Sequence, residues 1–556
     1  MSRADGPGRD PLGWATPVNL SSHLVQRMLK LGAPLTRDLV VNRDLRVPMT
    51  DGAELLADRW APRSGGEGLP VALLRCPYGR RGIMGMVHAR PLAERGYQVL
   101  IQSTRGTFGS GGVFDAMRCE REDGAATLEW LVEQPWFGHS IVLAGESYLG
   151  YVQWAVAGRL PAEVKALIPQ VTESAFKLEW LRKDGFSLEA PFVWGVQIAT
   201  QERRWAMLRQ RSQARKTQQA LRTLPLSDAD ARAIGHHFDY IQACLVHDAD
   251  DPYWSAADHQ DEVTKVTVPV SLVGGWYDMY LPGQLRDFRA LQQAGRQARL
   301  TIGPWRHTGT LTAGTRETLE FGLACARGDN PPPRAPVRLY VTGQEDWRDF
   351  SSWPPGGYAP QRFFLQPDGG LTAQPPPAAE PDRYRYDPAD PTPAVGGVRG
   401  MPRKSGRVDN TTLEARSDVL IYSTDVLDQD VEVIGEVTAE IWFCSSLRYA
   451  DVFVRLCDVD PGGRSWNVCD SLTSLTGANE VTCATVRLWP TAHRFRAGHR
   501  IRLQVSSGAF PRFARNLGNG EPHATATVMR PADQQVYHDP HHPSAIVLPV
   551  KETAAA

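Results

Sequence analysis

The six residues GESYLG, at 145–150, place a serine between an apolar run, SIVLA, and a stretch with helical spacing, YLGYVQWAVAG. A serine at a sharp turn from strand to helix has its hydroxyl lifted clear of the sheet. The helix that follows sets a backbone N–H and the positive end of its dipole beside that hydroxyl. Both favour a nucleophile with an anion forming next to it, which is the chemistry of acyl transfer. The usual elbow reads GxSxG, and here Leu149 holds the second glycine's place. GxSxxG strings also occur in plain Gly-rich turns, so the strand–turn–helix context carries the assignment of Ser147 as nucleophile.

A serine needs a base, and the base needs an acid to orient it. On folds with this elbow the chain order is Ser, acid, His, with both partners just beyond later strands. VTVPVSLVGGWYD ends on Asp278, and ARLTIGPWRH ends on His307. Other histidines fit less well. His88 and His139 precede the serine, His236 and His237 fall in a helical stretch, and His493, His499, His538, His541 and His542 fall in a β-rich region. Asp250 and Asp251, in DADDPYW, compete with Asp278 but read as loop or capping residues. An oxyanion needs two donors. The Tyr148 amide is one. The loop CPYGRRG after the run VALLRC should supply the other, and the Tyr78 phenol in it is a candidate, with a structural turn tyrosine as the competing reading. Trp154, Trp180, Phe192, Trp194, Trp276 and Tyr280 are candidates to line the substrate pocket. Core packing is the competing role for each, and several aromatics together favour a bulky or aromatic acyl group.

These residues need a scaffold. VALLRC (71–76), YQVLIQS (97–103), SIVLAGE (140–146) and VKALIPQ (164–170) are short β-rich runs separated by helical patterns such as DGAATLEWLVEQ. That alternation predicts an α/β fold with a mostly parallel sheet covered by helices. Residues 1–45 read as a lead-in with one amphipathic stretch, SSHLVQRMLKLG. The catalytic unit is then 46–172 and 263–356, interrupted at 173–262 by charged, helix-spaced segments such as EWLRKDG that read as a cap. From 357 to 556 the pattern turns all-β. EVTAEIWF sets Val437, Ala439, Ile441 and Phe443 on one face, and HRIRLQVS alternates Ile501, Leu503 and Val505 with polar residues. Period-two alternation predicts antiparallel strands with one wet face, closing as a sandwich or jelly roll.

At 556 residues the chain exceeds one core, and its 42% apolar and 22% charged content is ordinary for a globular protein. A formal charge of −1 gives no reason to expect a nucleic acid or membrane partner. The eight cysteines form no CxxC pair, so buried free thiols in a reducing compartment are expected. The opening MSRADGPGRDPLGW lacks the apolar core of a secretion signal, and a cytoplasmic location is the expectation. The expected partner is a small-molecule acyl substrate. No metal or cofactor is needed, and a homo-oligomer stays open.

Taken in order, TDGAELLADRWAP, CPYGRRG, TRGTFGSGG, EWLVEQPW, GESYLG, DDPYW, GGWYD, GPWRH and GHRIRLQVSSGAFPRFARN resemble the cocaine esterase-like hydrolases, relatives of the X-Pro dipeptidyl-peptidases and the α-amino-acid ester hydrolases. The resemblance runs from about residue 46 onward. It implies an α/β-hydrolase core, a helical cap and a C-terminal jelly roll. It also implies Ser147, Asp278 and His307 as the triad, with Tyr78 and the Tyr148 amide holding the oxyanion. Two departures stand out. Ser103, in QSTRG, replaces the family's usual acid, which is expected to alter support around the oxyanion loop, and PWFGHS replaces an Asn-Gly turn. The activity expected is hydrolysis of a carboxylic ester through an acyl-enzyme. Amide or dipeptidyl-peptidase chemistry and acyl transfer to another nucleophile are the alternatives on the same triad.

Overall fold

The chain is described by a computed structural model covering residues 19–176, 185–401 and 404–552. Trp180 and most of EWLRKDG lie outside the described residues.

A ten-stranded sheet forms the first half. In chain order its strands are β1 (Leu39–Pro48), β2 (Glu54–Pro62), β3 (Val71–Cys76), β4 (Gln98–Ser103), β5 (Ile141–Glu146), β6 (Val164–Gln170), β7 (Val270–Tyr277), β8 (Ala298–Arg306), β9 (Val337–Val341) and β10 (Asp346–Phe350). They lie in the order β1-β2-β4-β3-β5-β6-β7-β8-β9-β10. From β4 across to β9 every pairing is parallel. Antiparallel β1–β2 and β10 close the two edges. The central strands are buried along nearly their whole length, as parallel strands covered on both faces must be. That is why they read as unbroken apolar runs. β1 begins inside the stretch read as a lead-in and runs three residues past it. It is an edge strand with the exposed segment Asn42–Arg43–Asp44, so it shows no apolar signature.

Between β6 and β7 the described chain is helical, with α-helices at Glu189–Thr200, Ala206–Ala220, Ala229–Ile234, Asp239–Val246 and Gln260–Val263. The first four pack on a second apolar cluster containing Tyr148, Tyr151, Phe192, Tyr240 and Tyr280, beyond the ends of β5 and β7, while Val263 of the last joins the main core.

The C-terminal half is a β-sandwich. One sheet has nine strands. The other has four, ordered Leu420–Ser423, Arg500–Ser506, Tyr449–Val459 and Ser465–Thr476, all antiparallel. Val437, Ala439, Ile441 and Phe443 face the core together, as the alternation predicts. Gln504, expected on the wet face, is also buried, because its amide donates to Glu414 Oε1 at 2.7 Å.

The sandwich is tied to the helical segment by buried groups. Glu189, fully buried at the start of its helix, takes two hydrogen bonds of 2.7 Å from the Arg399 guanidinium and one of 3.1 Å from the Gly400 amide. The Leu188 amide donates to the Arg512 carbonyl at 2.9 Å, and Ala514 donates to Phe186. All eight cysteines are free thiols. Cys76, Cys244, Cys457 and Cys469 are buried and the other four are partly exposed.

Candidate active site

β5 ends on Glu146, and the chain turns at once into the helix Tyr148–Ala155. Ser147 forms the turn with φ 58° and ψ −120°, a backbone state that costs a non-glycine residue about 1–3 kcal/mol. Surrounding bonds hold it there. Its amide donates to the Gln170 carbonyl on β6 at 2.8 Å, and its carbonyl accepts from the amides of Gly150 and Tyr151 at 2.9 Å each. Two glycines make the turn fit. A Cβ on Gly145, at φ 137°, would lie 2.4 Å from Leu149 Cβ, and one on Gly150 would lie 2.5 Å from Thr172 Cγ2. The second close approach falls at 150, which is why Leu149 can take the usual glycine's place and bury its own side chain.

The hydroxyl lifted by this turn meets His307, just past the end of β8. Ser147 Oγ lies 2.9 Å from His307 Nε2, and His307 Nδ1 lies 2.6 Å from Asp278 Oδ2. Asp278 is fully buried beyond β7, and its other oxygen accepts from the Tyr280 amide at 2.9 Å. A carboxylate can only accept, so the proton of the neutral imidazole sits on Nδ1 and Nε2 is left to receive the serine proton. Burial by itself pushes the His307 pKa down. The charge of Asp278, its hydrogen bond and the charge of Glu146 together outweigh that and leave it above the ordinary histidine value.

This has a measurable consequence. A base must be neutral to accept a proton, so kcat/KM for a neutral ester should rise with pH through a midpoint above about 6.5. Glu146→Gln removes one raising charge and should move that midpoint to lower pH. A pH–rate profile checks both, and a midpoint unmoved in Glu146→Gln would contradict the assignment.

Tyr78 stands opposite, in the loop after β3. Its partly buried phenol is within hydrogen-bonding reach of Ser147 and accepts from Trp194 Nε1 at 3.0 Å. Burial is the main reason its pKa is raised, so it stays protonated and can donate. The Tyr148 amide opens the helix, where an N–H has no acceptor within the helix itself. The Tyr148 side chain turns away from Ser147: its hydroxyl donates to Glu120 Oε1 at 2.7 Å and accepts from the Met117 amide at 3.1 Å. Ser103 leaves the loop after β3 well supported. Arg80 donates to its hydroxyl at 3.2 Å and takes its carboxylate partners from Asp58, at 3.0 Å, and Asp44 on β2 and β1.

Aromatic rings form a wall around the helix that opens at the serine. Tyr280 stands edge-on to His307 with centroids 5.5 Å apart and touches Phe176 at 4.9 Å. Trp194 stacks on Tyr148 at 6.1 Å and meets Tyr240 edge-on at 4.7 Å. Phe192 is buried in the same cluster. Trp154 and Trp276 are not part of this wall. Both belong to the main core cluster: Trp154 is fully buried, and Trp276 packs on Trp353 and donates to the Tyr340 carbonyl at 2.7 Å. Both indoles pack in the core rather than in the cluster above the serine. Residues not anticipated from the sequence include Phe114, Phe176 and Tyr240 in the aromatic cluster. Another is His259, which lies between Arg121 and Tyr151 with its pKa pushed down to about 4 by burial first and then by Arg121. Asp251 accepts from the Tyr253 amide and pairs with His247, a local helix cap. Among the described residues no group of three His, Cys, Asp or Glu side chains is placed to hold a metal ion, and no helix is long and apolar enough to cross a membrane.

Comparison with known proteins gives one consistent answer. Residues 51–309 match the model of the X-Pro dipeptidyl-peptidase (S15 family), and residues 332–547 match the X-Pro dipeptidyl-peptidase C-terminal non-catalytic domain. The cocaine esterase of Rhodococcus sp. (strain MB1 Bresler) is 30% identical over 92% of this chain and 98% of its own. In fold, the chain is similar to an aminopeptidase from a marine sediment Thaumarchaeota archaeon, with TM-score 0.81 and 21% identity over 93% of this chain and 97% of that one. It is also similar to an α-amino acid ester hydrolase, with TM-score 0.79 and 22% identity over 94% and 98%. The matches span both halves of the chain in order, and the chain belongs to the S15, X-Pro dipeptidyl-peptidase family of serine hydrolases, with both the catalytic and the C-terminal all-β parts.

Proposed function

We propose that the protein hydrolyses carboxylic esters bearing a bulky or aromatic acyl group, through an acyl-enzyme on Ser147. The observation that carries this reading is the hydrogen-bonded run Ser147–His307–Asp278 with the Tyr78 phenol beside the serine. In the first half-reaction His307 Nε2 takes the Ser147 proton as Oγ attacks the ester carbonyl. The Tyr78 hydroxyl and the Tyr148 amide donate to the developing oxyanion, and His307 then protonates the leaving alkoxide. In the second half-reaction a water takes the alcohol's place and the same proton transfers run in reverse. Tyr280 against His307 and Trp194 against Tyr78 support the aromatic acyl preference, because flat apolar rings gain from offset or edge-on packing.

Amide hydrolysis is the second reading. The family description, X-Pro dipeptidyl-peptidase, and the fold likeness to an aminopeptidase favour it. The deciding experiment treats the protein with a fluorophosphonate probe and then measures matched aryl acetates, benzoates and anilides. The expected result is labelling of wild type but not of Ser147→Ala, with benzoates turned over faster than acetates and both faster than anilides. Equal labelling of Ser147→Ala would end the enzyme reading, and a clear acetate preference would end the aromatic one. Anilides cleaved as fast as esters would move the assignment to an amidase.

A further inference from the structure

The C-terminal sandwich matches a domain described as non-catalytic, yet one of its side chains reaches the acid beside His307. Trp489, between the strands Thr482–Arg487 and Thr491–Phe495, is buried, and its Nε1–H donates to the Asp278 backbone carbonyl at 3.1 Å. Asp278 lies one residue past the end of β7, where the parallel ladder no longer holds the chain. Its amide donates to the Gly275 carbonyl at 3.0 Å, while among the described residues its carbonyl accepts, besides the indole, a long 3.4 Å contact from the Leu281 amide. The shorter bond to that carbonyl, at 3.1 Å, therefore comes from the sandwich.

The indole is itself clamped. The Arg512 guanidinium lies 4.6 Å over its ring, and Arg512 is ion-paired with Asp470. Asp470 also holds Arg455, with Nε and Nη2 each at 2.9 Å, and its carbonyl accepts from the Trp489 amide at 3.3 Å. Asp470, Arg455 and Arg512 are all buried. Burial alone would raise the Asp470 carboxyl, but the charges of Arg512 and Arg455 outweigh it and hold it below the ordinary value, so the carboxylate stays charged between its two guanidinium partners. A cation over an indole face also fixes the plane from which the N–H points.

We propose that Trp489 is a positioning residue: it holds the Asp278 backbone so that the carboxylate stays on His307 Nδ1. A shift of about 1 Å in such a group can lower a rate about a hundredfold. The role resembles that of second-layer partners that orient functional side chains, here supplied by a different part of the chain. The inference rests on the triad reading above.

The test is Trp489→Phe in the full-length protein, which keeps an aromatic ring under Arg512 and removes the donor. Val454→Ala, a core truncation in the same sandwich, is the structural control. With p-nitrophenyl acetate, Trp489→Phe is expected to lose about tenfold or more in kcat with KM within twofold. The acid limb of its pH–rate profile should shift to lower pH, and the low-field proton resonance of His307 Nδ1–H should move upfield or broaden. Val454→Ala should lower the melting temperature with kcat and resonance unchanged. If Trp489→Phe does not accumulate, Arg512→Lys is used. It keeps a charge opposite Asp470 but loses the planar face over the indole, and should show the same signature at two- to threefold. A Trp489→Phe protein with wild-type kcat, limb and resonance would overturn the proposal, as would the same changes in Val454→Ala. Failure of the triad reading is recognised separately, because wild type would then not be labelled at Ser147 by a fluorophosphonate at all.

Discussion

Replacing Ser147 or His307 by alanine is expected to lower kcat on an activated ester by about 10⁶-fold, and Asp278→Asn by about 10⁴-fold. The difference follows from the geometry. Ser147 forms the bond and His307 moves its proton, so losing either removes the acyl-enzyme route. Asp278→Asn keeps the shape but can offer an N–H to His307 Nδ1, which drives the imidazole proton onto Nε2 and blocks proton uptake from Ser147. The double variant Ser147→Ala/His307→Ala should be no slower than either single one, because the two act as a unit. Steady-state kinetics on purified variants, with circular dichroism to confirm folding, checks this. Additive losses in the double variant would show that the two residues do not share one step.

The second large effect is at Tyr78. Tyr78→Phe keeps the ring and removes one of the two oxyanion donors, with an expected loss of about 10²–10³-fold in kcat and little change in KM, because the bond is strongest to the transition state. The same change takes an acceptor from the Trp194 indole, which lies 3.0 Å from the phenol oxygen. Stability is expected to fall by about 1 kcal/mol, the net worth of a neutral hydrogen bond. Trp194→Phe separates the two effects. It leaves the Tyr78 donor in place, so kcat should fall by far less than in Tyr78→Phe. A Tyr78→Phe protein within threefold of wild type would assign the phenol to holding Trp194 rather than to the oxyanion.

The triad candidates could be read from the chain because each stands where an apolar strand stops. Central parallel strands are buried on both faces, so SIVLAGE, VSLVGGWY and ARLTIGPWR mark their own ends, and the residues just beyond them face the same side of the sheet. β1 was hidden because an edge strand needs no apolar run. The aromatics were ambiguous for another reason: a tryptophan looks the same in a core and in a pocket. Trp154 lies seven residues down the helix from Ser147, about 10 Å along its axis, which carries it under the sheet's end and into the core. Trp276 lies two residues back along β7 from Asp278, inside the strand rather than at its tip. The bond from Trp489 joins residues 211 positions apart, and no local pattern in VRLWPTAH announces it.

The Glu189–Arg399 pair bears on how such a chain can be rebuilt. Both groups are buried, and each is satisfied by the other across the join between the helical segment and the sandwich. Removing one member of a buried pair costs about 3–5 kcal/mol, a large share of a typical domain's stability. A helical segment transplanted from a relative would therefore bring a stranded charge unless its partner in the sandwich travelled with it. In recombination or in engineering, the exchangeable piece is the segment together with the loop around Arg399.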